Sequence, residues 1–193
     1  LKGAVLIFTV LTFLLTTYLL SRSRGLIGLK SSEKAGALKS SGLFQKPYKE
    51  TKKLLGRSNF GIWLSSFLLN GAIGVLLAYY PDYSLGTITK AQLGISISSL
   101  YVCAMITSLL GGRFKVKEKN LIKVGLGFSA LGAFSAIKYP LLGFSSIGGG
   151  SGVATVGFAL AVARMNADRG LAMGLFNTTI YAGLSLAPII AGF

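Results

Sequence analysis

The sequence predicts an all-α, polytopic transmembrane helical bundle of six spans, and three observations predict it. Apolar runs recur along the chain, each about as long as the ~20 residues a helix needs to cross a bilayer. Seventeen of the twenty Lys and Arg residues are confined to three stretches between those runs. Charged residues make up only 13% of the chain and hydrophobic ones 52%, with a mean hydropathy of +0.66. A soluble domain carries about a quarter charged residues to cover its surface.

The first span is Gly3–Leu20. Ser21-Arg22-Ser23-Arg24 follows it where a secretory leader would carry a small-x-small cleavage site, so residues 1–21 read as a transmembrane helix. Residues 22–57 then hold ten cations among Ser and Gly and read as a long basic loop. Within it, Pro47 to Leu55 fits a short helix on anionic headgroups, with Lys49, Lys52 and Lys53 along it and Leu54-Leu55 at its end. A plain solvated loop that only sets topology fits equally.

Residues 58–193 supply five more spans. These are Phe60–Tyr80, ended by Pro81; Ala91–Gly111; Leu121–Tyr139, ended by Pro140; Leu141–Ala163; and Leu171–Phe193. Backbone groups in lipid must be satisfied within the segment, which demands helices; a closed barrel would show short alternating strands instead. The connections among these five are short, which predicts that helices consecutive in sequence pack as antiparallel neighbours. Leu1 in place of an initiating Met, and Phe193 inside an apolar run, suggest a piece of a longer protein.

If each run crosses once, residues 22–57, 113–120 and 164–170 fall on one side. Lys2, Lys90 and Lys138 fall on the other. That is the positive-inside pattern of a plasma or inner membrane protein with cytoplasmic basic loops. Tyr79, Tyr80, Tyr83 and Tyr139 cluster on the lysine-poor side, where interfacial aromatics belong. The formal charge of +15 would suggest nucleic acid in a soluble protein, but confinement of the cations to loops excludes it as a partner. With one cysteine, Cys103, five acids and no histidine, the sequence offers no disulfide, metal site, cofactor site or catalytic cluster, and an enzyme is not expected.

Glycine carries the packing signal. The fifth span contains Gly143, Gly148, Gly149, Gly150, Gly152 and Gly157. Gly148 and Gly152 share a face, four residues apart, that lets another backbone approach. Gly71 and Gly74, Gly125 and Gly132, and Gly174 and Gly183 repeat the theme in the second, fourth and sixth spans.

Two strings resemble the major facilitator superfamily. Asp168-Arg169-Gly170 opens the last span, which continues through Gly174, Asn177 and Gly183 to Ala187-Pro188-Ile189-Ile190-Ala191-Gly192. This resembles the small-x-x-x-Gly-Pro-x-x-Gly-Gly pattern of the drug and proton antiporter branch, with Gly183, Pro188 and Gly192 matching and alanines replacing two glycines. Gly112 through Asn120 occupies the loop where members carry Gly-x-x-x-Asp-Arg/Lys-x-Gly-Arg-Arg. Gly112 and Lys117 fit; Val116 stands for the aspartate and Lys119 for the second glycine. On this resemblance the chain covers the family's sixth to eleventh helices, an incomplete C-terminal half, with residues 22–57 as the central loop. The antiporter-like match instead favours an assignment of the last five spans to the first half.

The resemblance implies part of a secondary active transporter that moves a small solute by alternating access, in the manner of an efflux antiporter. The alternative is a structural or regulatory membrane subunit without transport of its own. Candidate cavity residues are Asn70, Tyr101, Asn177 and Tyr181, polar or aromatic groups at mid-depth; Asn177 and Tyr181 lie four apart on one face. Each fits interhelical hydrogen bonding or interface anchoring as well. Gly112, Lys117, Asp168, Arg169, Gly183, Pro188 and Gly192 form the conformational motif. Its mechanical reading is a bend at Pro188 that closes the bundle. Proton coupling needs an intramembrane carboxylate or histidine, so a coupling residue is expected in the missing N-terminal half. The partners implied are the solute, protons, the lipid bilayer and that half.

Overall fold

The computed structural model describes residues 51, 54–56, 59–113, 116–165 and 168–192. It is all-helical: α1 (Phe60–Tyr83), α2 (Lys90–Gly111), α3 (Glu118–Ala136), α4 (Pro140–Ala163) and α5 (Arg169–Gly192). These correspond to the second to sixth segments that the sequence predicts as spans. The first span and most of the basic loop lie outside the described residues. Four of the five helices, all but α3, are long and apolar enough to cross a membrane, as an integral membrane protein requires. α3 is shorter, at 19 residues, and opens with Glu118, Lys119 and Lys123.

Local chemistry sets the boundaries. Pro81 does not end its helix, contrary to expectation; α1 continues to Tyr83. Proline deprives only the Leu77 carbonyl of its donor, and the ladder resumes with the Ser84 amide donating to Tyr80 at 2.9 Å. The turn to α2 needs Gly86, whose φ of 80° is costly for any other residue. Thr89 and Gln92 form a reciprocal capping box at the start of α2. α3 starts at Glu118, not Leu121, because a carboxylate in the first turn complements the helix dipole. It ends at Ala136, short of Tyr139, because Tyr139 takes up the non-helical N-cap position of α4, which opens on Pro140. The Asp168 carboxylate caps α5 by accepting from the Leu171 amide at 2.9 Å.

Packing follows the glycines rather than sequence order. α4 lies between α2 and α3 and packs closely against both, whereas α1 packs chiefly against α5. Only α3 and α4 are both consecutive and closely packed, so the expectation that short loops make every consecutive pair neighbours fails. A short loop limits where the next helix can go; the matching of small-residue faces decides which helix it touches. Along the α3–α4 seam, Gly125 meets Gly150 and Ala154, while Gly132 meets Gly143 and Ile147, an antiparallel order. On the other side of α4, Gly148 faces Leu100 and Gly152 faces Ala104 and Thr107, a parallel order. Gly71 and Gly74 face Gly183, Leu184 and Ala187, so α1 and α5 are also parallel.

These directions bring the N-termini of α1, α3 and α5 and the C-termini of α2 and α4 to one end. Arg113, Lys117, Lys119, Lys123, Arg164 and Arg169 gather there, and Lys90 and Lys138 lie at the other end with the tyrosines. The sorting of charge read from the sequence thus reappears in the helix directions. The tyrosine end is more than an anchor. Tyr80 is buried, donates to the Ala136 carbonyl at 2.8 Å and sets its ring edge-on to Phe144 at 4.8 Å. It ties the α1–α5 pair to the α2–α3–α4 group. At the basic end, Arg164 pairs with Glu118 at 2.5 Å across the α3–α4 seam. Leu54 is buried in the core and accepts from the Trp63 indole at 2.9 Å, whereas Leu55 is exposed. The end of the basic loop is thus pinned to α1; the rest of the Pro47–Leu55 segment is largely outside the described residues.

Candidate solute-facing wall and the α1–α5 seam

α5 shows two unlike faces. One is made of Gly183 and Ala187 and is buried against α1. The other carries Asn177, Thr178, Tyr181 and Ser185, all exposed. Their spacing of three and four residues makes a continuous polar stripe along the helix. The Thr178 and Ser185 hydroxyls donate to carbonyls four residues back, Gly174 and Tyr181, at 2.9 and 2.7 Å. This satisfies them without any partner helix. Asn177 amide and Tyr181 phenol groups stay available, and Tyr181 is 68% exposed. Tyr101 on α2 is likewise exposed.

Asn70 differs from the other three candidates. Its amide donates to the Ser66 carbonyl of its own helix at 2.8 Å, and its Cβ would lie 3.3 Å from a side chain added at Gly183. It borders the α1–α5 seam rather than an open face. The structure therefore brings Asn177 and Tyr181 together on one exposed stripe, but it does not join Asn70 or Tyr101 to them through any described contact.

The seam explains the glycine and proline of the motif. A Cβ at Gly183 would stand 2.5 Å from the Phe67 carbonyl oxygen and 3.0 Å from the Gly71 nitrogen. One at Gly74 would stand 2.5 Å from the Leu184 carbonyl oxygen. That carbonyl has lost its helical donor, because residue 188 is proline. Glycine at 74 lets it approach the α1 backbone, a contact of the Cα–H to carbonyl kind. The Pro188 carbonyl in turn accepts from the Tyr79 hydroxyl at 2.9 Å, beside Gly192. Pro188 thus sits within a close parallel crossing, with both freed and occupied carbonyls turned to α1.

The remaining motif residues lie at the basic end. Gly112 is exposed after α2, Lys117 is the N-cap residue of α3, Asp168 caps α5 and Arg169 is its first residue. Gly112 and Lys117 make no described contact with Asp168 or Arg169. Among the described residues, Glu118 and Arg164 form a charge pair at this end, which the sequence reading did not single out; its signal was an acid placed at a helix start beneath a cationic loop. Also unforeseen are Ser65 and Ser66, whose hydroxyls are fully buried with no hydrogen-bond partner among the described residues.

Compared with protein-family models, curated proteins and solved structures, the chain finds no match.

Proposed function

We propose that this chain forms part of a secondary active transporter of the major facilitator type, six spans of an incomplete half, with its basic loops cytoplasmic. It would move a small solute by alternating access, in the manner of an efflux antiporter. The observation that carries this reading is the polar stripe of α5. On a helix apolar enough to cross a membrane, Asn177, Thr178, Tyr181 and Ser185 face away from the bundle. Amide and phenol groups gain nothing from hydrocarbon and mark a polar surface within the membrane. A water-filled cavity, closed on its far side by the other half of a transporter, supplies that surface. The glycine seam gives α5 a close crossing with α1 on its opposite face, which suits a rigid wall that rocks as a unit. The resemblance of the Gly183–Gly192 string to the antiporter pattern supports the same reading.

The test is cysteine accessibility. In a Cys103→Ser background, single cysteines at Asn177, Tyr181 and Ser185 should react with a membrane-impermeant thiol reagent in intact membranes, and a cysteine at the exposed apolar Ile190, which lies off the stripe, should not. Equal protection of all four positions would point to the structural or regulatory subunit, whose α5 stripe is covered by a partner helix.

A further inference from the structure

α2 and α3 both pack on α4 and make little direct contact with one another. The cleft between them is a groove of about 330 Å³. Its walls are Leu110 on α2 with Val116, Leu121 and Val124 on the α3 side. Val153 of α4 forms the floor, and Asn120 is the one amide. Leu110, Val116 and Val124 are 47%, 42% and 61% exposed, so the groove opens outward from the bundle.

Cations frame the mouth. Lys117 follows Val116 directly and precedes the lining residues Asn120, Leu121 and Val124 by three, four and seven positions, which places it on their face of α3. Arg113 lies two residues beyond the lining residue Gly111, and Lys123 lies three residues after the lining residue Asn120, one turn along the same side of α3. None of these three has an acidic partner among the described residues; Glu118 is taken by Arg164. In a membrane-spanning bundle, an apolar groove that runs inward from such a cationic rim matches a phospholipid in two places. Acyl chain fits the apolar cleft and phosphate meets the cations, whose long stems reach to the headgroup level. A second copy of the chain would bring the same cations to the same rim and be repelled.

We infer that the α2–α3 groove is a binding site for an anionic phospholipid, held by its phosphate at Lys117, Lys123 and Arg113 and by an acyl chain against Val124 and Val153. The site requires only that the helices lie in a membrane; it does not depend on transport.

The experiment measures equilibrium binding of a chain-labelled phosphatidylglycerol to the purified 193-residue protein in detergent. Phosphatidylglycerol should compete, and phosphatidylcholine of the same chains should compete far less. Lys117→Gln with Lys123→Gln should weaken phosphatidylglycerol binding by roughly 25-fold, from about fivefold for each cation near a headgroup. Lys90→Gln with Lys138→Gln, at the opposite end, should leave it unchanged. Val124→Trp, which fills the cleft without altering charge, should weaken both lipids, with retained helicity by circular dichroism. Equal binding of the two lipids would overturn the proposal. So would equal losses from the two lysine pairs, which would mean diffuse charge. Competition by soluble glycerophosphoglycerol as strong as by the whole lipid would also overturn it, because a free phosphate then suffices. Loss of lipid binding through dimerisation over Val124 would assign the groove to a second copy instead.

Discussion

Single residues in this bundle are decided by whether a buried atom has a partner or a neighbour has room. The Ser65 and Ser66 hydroxyls have no partner among the described residues. A buried hydroxyl left unpaired costs about 1–3 kcal/mol. Ser65→Ala and Ser66→Ala should therefore leave thermal stability in detergent unchanged or raise it. A fall in either melting temperature would mean that the hydroxyl bonds to something outside the described residues. Gly183 is the opposite case. A leucine there would drive a side chain into the Phe67 carbonyl and the Gly71 backbone, and overpacking typically costs about 1–3 kcal/mol. Gly183→Leu should lower thermal stability, whereas Gly174→Ala, where nothing lies within 4 Å of an added Cβ, should not. If both variants melt like the parent, α1 and α5 do not cross at Gly183.

At the scale of elements, the existence of the helices was legible and their partners were not. Length and apolarity fixed where α1, α2, α4 and α5 run, to within a few residues, because backbone satisfaction in lipid leaves no other structure. Boundaries slipped at Pro81, Glu118 and Tyr139, where a single capping or ladder bond decides the end. Partner choice was hidden for a different reason. Apart from the α5 stripe, these helices carry apolar residues on every side, so hydrophobicity marks no inward face, and only the small residues do. Gly148 and Gly152 announced a close contact, but nothing local said that the partner would be α2. The α5 stripe was half legible: Asn177 and Tyr181 were placed on one face, but their exposure depends on α5 turning Gly183 toward α1. Neighbouring glycines on α4 offer a test of opposite sign. Gly148→Ala places a Cβ against the Leu100 backbone and should separate α4 from α2, with a fall in stability. Gly149→Ala meets only the Thr107 methyl, at 3.7 Å, and should stabilise by up to about 1 kcal/mol through helix propensity. Identical effects from the two would show that α4 is rotated from the orientation described.

On the scale of the whole molecule, the described helices form two groups, α1 with α5 and α2 with α3 and α4, and few contacts join them. Tyr80 contributes to that junction, at the end opposite the cations, through the Ala136 carbonyl and the Phe144 ring. The polar and charged groups are thus sorted by end as well as by face, and this sorting gives orientation a direct test. Helix directions put Lys138 at the tyrosine end and Arg169 at the cationic end. The positive-inside rule assigns the cationic end to the cytoplasm. In a Cys103→Ser background, Lys138→Cys should react with an impermeant thiol reagent added to intact cells. Arg169→Cys should react only after the membrane is opened. Both positions are exposed, so failure to label cannot be put down to burial within the chain. Reaction of both from outside would mean that α4 does not cross the bilayer, since positions 138 and 169 are separated by α4 alone. Reaction of Arg169→Cys alone from outside would invert the bundle. The wall formed by Asn177 and Tyr181 would survive that inversion, but the cytoplasmic assignment of the basic loops would not.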